Sequence, residues 1–309
     1  MLSEVFFLID ESNKNNEEFL AKLKDEADYI RKCGYGAEIC FSEEDDNAGM
    51  LMRTGRNLSK SLVVTDSGVI AEELVKKRLN VVGMLHEANK GTGFPGVQYV
   101  FSDIDQVDME SFVKVYQRCV GEPWEILETE RLRIRETTLE DVDEFYRLYA
   151  APEMTRYMEG LFENPEDEKK YQKDYIDKVY RLMGFGVWTI IRKEDGAIIG
   201  RAGYSVRNGF EETELGFLIG KDYQRQGYCL EACRAILDYG RDMLLFDKVM
   251  TLVKAENLVS IHICEKLGFK RVQSVDVEED IYGGTYDLGK KAVPNQEKYG
   301  SYVKMVRVF

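Results

Sequence analysis

Through the first 120 residues, short apolar runs alternate with amphipathic stretches of helical period. Residues 5–9 are apolar without a break, and Phe19, Leu20, Leu23, Ala27 and Ile30 then recur on one helical face. Residues 37–41, 62–64, 81–84 and 99–101 repeat the short run, while Ile70, Leu74 and Val75, and then residues 109–119, repeat the helical spacing. Strand-length runs separated by helices predict βαβ units and a parallel sheet covered on both faces. The pattern breaks at Gly121, Glu122, Pro123 and Trp124, because Gly and Pro together rarely sit inside an element. Two domains are expected, over residues 1–121 and 122–309.

The second half reads differently. Residues 132–135 form a strand, and Thr138 with Asp141 three positions on opens a helix carrying Val142, Phe145, Leu148 and Tyr149. Residues 163–177 are charged and helical, with Tyr171, Tyr175 and Ile176 at helical spacing. Strands at 187–192 and 197–205 face each other across Asp195-Gly196, a strong hairpin signal. Residues 213–219 are a further strand. A helix from Gly227 to about residue 245 presents Leu230, Cys233, Ile236, Leu237, Gly240 and Leu244 along one face, and residues 249–253 return as a strand. The expected sheet is mostly antiparallel with one βαβ crossover.

Composition narrows the function. The chain has 309 residues, 44% hydrophobic and 32% charged, with 5 Pro and no biased tract, which is a folded composition. Its longest apolar runs fall well short of the roughly 18 residues that cross a bilayer, so no membrane span is expected. Glu4 and Asp10 in an N-terminus without a basic region argue against a signal peptide, and a cytoplasmic protein is expected. Acidic side chains outnumber basic ones by 56 to 42, a balance that disfavours nucleic acid and anionic lipid and suits a cationic partner. The six cysteines form no C-x-x-C pair, so reduced, mostly buried thiols and no metal site are expected.

The chemistry concentrates in residues 213–269. Gln224, Arg225, Gln226, Gly227, Tyr228 and Cys229 lie between a strand and the start of an amphipathic helix, where unpaired amides and the helix dipole make an anion site and a glycine admits close approach of a phosphate. This turn has neither the G-x-x-x-x-G-K-[ST] nor the G-x-G-x-x-G spacing, so a pyrophosphate cradle of another kind is indicated.

These residues resemble the Q-x-x-G-x-[GA] acetyl-CoA motif of the GNAT acyltransferases, with Cys229 at the last position. Asn257 and Ser260 in N-x-x-S, followed by Glu265, Lys266, Leu267, Gly268 and Phe269, resemble a second family motif. Glu128, Thr129, Glu130, Arg131 and Leu132 resemble the E-T-E-R-L opening of the branch containing the ribosomal-protein alanine acetyltransferases, and Glu214 to Phe217 resemble its A-E-I-G-Y strand. The resemblance spans residues 127–272. It covers the second domain only and implies a GNAT α+β acyltransferase domain there; with the Rossmann-like parallel layout of the first domain, a two-domain α/β chain is expected.

On that resemblance Phe217, Leu218 and Ile219 would bind the pantetheine arm of acetyl-CoA as an added strand, residues 224–229 would hold its diphosphate with help from Arg225 or Lys221, and Asn257 would hold a pantetheine amide oxygen. Side chains alternate along a strand, so Glu214, Gly216 and Leu218 share a face, and Glu214 is the expected general base toward an amine acceptor. The competing reading is the solvated end of the acidic run Glu211, Glu212, Thr213, Glu214. Cys264 stands where many relatives carry the tyrosine acid, which leaves Ser260 as the proton donor to the leaving thiolate or as a simple helix cap. Residues 161–180 and the C-terminal Tyr282, Gly283, Gly284, Thr285, Tyr286, Tyr299 and Tyr302 would wall the acceptor pocket. His262 reads as a surface residue and His86 as unpartnered. A non-catalytic acyl-CoA sensor competes with the transferase reading, motivated by the missing tyrosine. In the N-terminal domain Asp10, Ser42, Thr65 and Asp66 fall at carboxyl ends of strands, yet Ser12 stands where a dehalogenase-type hydrolase needs a second Asp.

Overall fold

In the computed structural model, which describes residues 1–42, 46–279 and 298–309, the chain divides into Met1–Trp124 and Glu125–Phe309. The first unit is built on β1 (Glu4–Ile9), whose six residues are all buried. Val5, Phe7 and Ile9 enter one core and Phe6 and Leu8 the other, the two-faced burial that its unbroken apolar run requires. With β2 (Gly36–Phe41), β3 (Ser61–Thr65), β4 (Val81–Met84) and β5 (Val100–Phe101) it forms a parallel sheet ordered β2-β1-β3-β4-β5. α1 (Glu17–Lys32) and α4 (Met109–Val120) supply one core, α2 (Asn47–Arg53) and α3 (Gly68–Lys76) the other.

The second unit holds an eight-stranded sheet. Its edge strand β6 (Glu125–Glu128) escaped the sequence reading because only Ile126 and Leu127 are apolar and both are half-buried. β7 (Leu132–Arg135), β8 (Val187–Arg192), β9 (Ile198–Ser205) and β10 (Thr213–Ile219) follow in antiparallel order. β11 (Lys248–Lys254) then runs parallel to β10 after a crossover through α8 (Tyr228–Asp242). Beyond α9 (Leu258–Lys266), β12 (Lys270–Glu279) and β13 (Lys298–Val308) complete the order β12-β13-β11-β10-β9-β8-β7-β6. Residues 282–286 lie outside the described residues.

Between β7 and β8 the chain forms α5 (Val142–Tyr149) and α6 (Pro165–Asp174), then a π-helical turn (Tyr175–Tyr180) running into α7 (Arg181–Met183). The extra residue per turn extends the helix beyond the predicted 177. It lets two tyrosines anchor one residue: Tyr175 Oη accepts from Val187 N at 2.8 Å, and Tyr180 Oη donates to Val187 O at 2.6 Å while accepting from Thr137 N at 3.0 Å.

The start of α5 is fixed by Asp141. Its carboxylate takes two bonds of 2.7 Å from Arg135, one of 2.9 Å from Thr138 N and one of 2.9 Å from Thr189 Oγ1. Burial pushes its pKa up, and these donors outweigh burial and hold it below the ordinary range. Asp141→Ala strands the Arg135 charge and is expected to cost about 3–5 kcal/mol in denaturant unfolding. Because the folded pKa is depressed, the Asp141 contribution is full above the unfolded value near ~3.9 and is lost as pH falls through the folded pKa. The wild-type advantage over Asp141→Asn is therefore expected to shrink only in acid, and a constant gap from pH 7 to pH 2 would contradict this origin.

Candidate active site

β10 and β11 pair through only two registers, Thr213 with Val249 and Glu214 with Met250. Beyond them the strands diverge, and the remainder of β10 keeps its partner β9 on one edge only. A cavity of about 830 Å³ opens along this divergence. It runs from Glu214 past Phe217, Leu218 and Ile219 to Gln224, Arg225, Gly227, Tyr228 and Cys229, with Asn257 and Ser260 on its flank. Of the expected catalytic and cofactor-binding residues, Gln226 and Lys221 do not line it.

At one end lies the turn into α8. Arg225 and Gly227 both adopt left-handed backbone, φ 61° and 86°. The amides of Arg225, Gln226 and Gly227 have no hydrogen-bond acceptor among the described residues, and those of Tyr228 and Cys229 open the helix, where none is available within it. The glutamine side chains brace the turn: Gln224 Nε2 donates to Ile219 O at 2.9 Å and Gln226 Nε2 to Asp222 O at 3.0 Å. Lys221 is drawn aside into an ion pair with Glu153.

At the other end Glu214 has 12% of its side chain exposed, with Arg207 Nη1 3.5 Å away. The solvated-run reading is thus corrected. Burial pushes the Glu214 carboxyl above its ordinary pKa, opposed in part by Arg207 and by the Leu252 backbone. Next to it Gly216 faces open space, since a methyl there would meet nothing within 4 Å. Glu212, its neighbour in the acidic run, pairs with Lys304 at 2.8 Å and Lys248 at 3.2 Å, and these cations hold it down to about 2.

The flank settles the α9 cap. Asn257 Oδ1 accepts from Ser260 N at 3.1 Å, so Asn257 caps the helix, and Ser260 sits three residues inside it with its hydroxyl unbonded among the described residues. Reading Ser260 as the cap is therefore corrected. The Nδ2 group of Asn257 likewise has no partner among the described residues.

The expected wall from residues 161–180 is absent from the cavity, because those side chains pack on α5 and anchor the π-turn. Glu153, Met154, Tyr157, Met158 and Glu159 line it instead, with Tyr302 and Arg207. This loop has no periodicity to read, and Arg207 lies just past a strand end with nothing in sequence to tie it to Glu214. Tyr302 is buried and donates to Glu279 at 2.8 Å, whereas Tyr299 is exposed.

The acetyltransferase (GNAT) domain model matches residues 131–270. Over 153 residues the chain is 31% identical to the uncharacterized N-acetyltransferase p20 of Bacillus licheniformis, covering 48% of this chain and 83% of that protein. The chain belongs to the GNAT acetyltransferase family. It is an acyltransferase. The uncharacterized protein YkkB of Bacillus subtilis is also 31% identical over 150 residues, 46% of this chain and 83% of that protein. Among solved structures, a spermidine N-acetyltransferase from Vibrio cholerae in complex with CoA and spermine is 17% identical, with TM-score 0.45 over 58% of this chain and 96% of its own.

In the first unit of this acetyltransferase, the residues at strand ends bond one another. Asp66 accepts from Asp10 N at 2.8 Å, Asn13 Nδ2 at 2.8 Å and His86 Nε2 at 3.2 Å. His86 Nδ1 accepts from Ala88 N at 3.3 Å, so both ring nitrogens are used and the histidine has the partner that sequence did not reveal. Ser42 Oγ accepts from Glu11 N at 3.0 Å. A G-x-G-x-x-G string does occur at Gly91, Gly93 and Gly96, but it leads into β5 and not into a helix, so the dinucleotide geometry is missing.

All six cysteines are free, and the expectation of mostly buried thiols fails for Cys33 and Cys119, which are exposed. Cys233 and Cys264 are buried, and burial pushes the Cys264 thiol up to about 12. Ellman titration with peptide mapping is expected to label Cys33 and Cys119 first and Cys233 and Cys264 only on unfolding. Fast labelling of Cys264 in the folded protein would contradict its placement.

Proposed function

We propose that this acetyltransferase moves the acetyl group of acetyl-CoA to a primary amine, a protein N-terminus or a small amine, by direct attack in a ternary complex. The observation that carries the reading is the single cavity joining unpaired helix-start amides to a buried carboxylate beside open space. The free edge of β10 at Phe217, Leu218 and Ile219 suits the pantetheine amides, and the amides of residues 225–229 suit the diphosphate. Cys229 occupies the place where relatives carry Gly or Ala, and a thiol is little larger than a methyl. Asn257 Nδ2 is the free donor for a pantetheine carbonyl.

Glu214 takes the proton of the acceptor ammonium directly or through water, since an amine attacks only with its lone pair free. The amine nitrogen then adds to the thioester carbonyl, the carbon–sulfur bond breaks, and the second proton of the newly acylated nitrogen passes through Ser260 or water to the departing thiolate, so that an amide and the free thiol of CoA leave. No acyl-enzyme is required. Tyr157, Met158 and Glu159 give the acceptor end an aromatic and acidic wall suited to a cation.

Mixing protein, acetyl-CoA and a panel of amines and following free thiol tests the activity. Binding of acetyl-CoA without thiol release on any amine would favour the sensing role instead. Glu214→Gln is expected to lower kcat by roughly 10- to 10³-fold, with acetyl-CoA affinity nearly unchanged and partial recovery at high pH as free amine accumulates. Because the Glu214 pKa is raised and the base works deprotonated, the acid limb of kcat/KM is expected above the ordinary carboxylate value near ~4.3. Full turnover by Glu214→Gln at neutral pH would place the base elsewhere. Gly227→Val, which puts a β-branched residue at φ 86°, is expected to abolish acetyl-CoA binding in a folded protein; calorimetry showing unchanged affinity would remove the turn from the site.

A further inference from the structure

The E-T-E-R-L segment takes no part in the chemistry above, and its placement gives it another task. Arg131, just before β7, reaches the turn into α8 from outside the cavity. Its Nη1 donates to Gln226 O at 3.1 Å and its guanidinium lies 4.4 Å over the Tyr228 ring. Its Nε and Nη2 meet Glu231 Oε2 at 2.7 and 2.6 Å. Glu231, one turn into α8, also accepts from Thr129 Oγ1 at 2.6 Å and from Arg131 N at 3.0 Å through its other oxygen. A methyl added at Gly227 would lie 3.3 Å from Arg131 Nη2, so the guanidinium packs directly behind the glycine.

We infer that Thr129, Arg131 and Glu231 form a clasp that holds residues 225–229 in their anion-binding shape before acetyl-CoA arrives, making all three positioning residues for cofactor binding. The guanidinium is spent on Gln226 O and Glu231 and is not among the cavity-lining groups, which places Arg131 on the turn itself. The turn needs such a clasp. Two left-handed residues in three make it a shape the chain does not hold unaided, and its amides gain nothing from internal bonds. The carboxylate is the pivot: burial pushes Glu231 up, but Thr129 and the two Arg131 donors outweigh it and keep it ionised. Arg131 also ties its carbonyl to Lys193 N at 2.9 Å, which fastens the clasp to the sheet.

This inference rests on acetyl-CoA occupying the turn, and the measurements separate the two. Calorimetry with acetyl-CoA on the full chain is compared for wild type, Arg131→Met, Glu231→Gln and Thr129→Val, each with a melting curve without cofactor. Expected is an affinity lowered about 10-fold or more in Arg131→Met and Glu231→Gln, the scale of re-ordering one or two backbone residues on binding. At saturating acetyl-CoA, kcat should be close to wild type, so the defect appears in KM. The double variant Arg131→Met/Glu231→Gln should lose little more than either single one, because both remove the same clasp. Wild type that fails to bind acetyl-CoA overturns the site itself. Wild type that binds, with folded Arg131→Met and Glu231→Gln binding equally well, overturns the clasp alone. If Arg131→Met does not fold, Glu231→Gln, which keeps shape and removes only charge, decides.

Discussion

The acyltransferase unit depends on a sheet that stops pairing in its middle. β10 and β11 hold together for two residue pairs and then part, and every other described neighbour in the eight-stranded sheet is paired over a longer stretch. Unpaired backbone inside a protein is costly unless a partner takes it up. α8 closes the core on one face of the sheet, where its Tyr228, Ala232, Cys233, Ile236 and Leu237 share a cluster with Leu215, Ile219, Val249 and Val253. The start of that helix opens on the cavity along the gap, with Gly227, Tyr228 and Cys229 in its lining. On the proposed reading, one substrate fills both needs, its amides against the free strand edge and its diphosphate against the free helix amides.

Much of this architecture was readable from pattern. Continuous apolar runs in residues 5–9 and 62–64 could only be strands covered on both faces, and Asp195-Gly196 could only turn a hairpin. The turn at Gln224 to Cys229 was readable because chemistry and conformation coincide at Gly227. What escaped has physical causes. The π-turn at Tyr175–Tyr180 follows from a tertiary demand, two hydroxyls converging on Val187, which helical periodicity does not encode. The cavity wall at Glu153 to Glu159 is a loop whose shape comes from its surroundings. Arg207 near Glu214, and Arg131 against Glu231, are pairs separated by a strand turn or by a hundred residues, and only the fold brings them within reach. The exposure of Cys33 and Cys119 shows the opposite error, apolar neighbours in sequence taken for burial in space.

The chain's charge makes a final demand on the cradle. With 56 acidic and 42 basic side chains the protein repels a polyanion such as CoA at long range. Lys221 and Arg131 do little to reverse this, because Lys221 is paired with Glu153 and Arg131 with Glu231. Among the cavity-lining cations, Arg225 and Lys266 have no carboxylate within ion-pair distance among the described residues. Screening over about 8 Å at physiological salt confines the repulsion to the surroundings. Inside that radius Arg225 and Lys266 act together with oriented amides and the helix dipole, which carry no net charge and need no counter-ion. On the proposed reading, an acidic chain attracts a cationic amine at long range and holds an anionic cofactor at short range through the turn's amides with Arg225 and Lys266, and the two requirements do not conflict because they act at different distances.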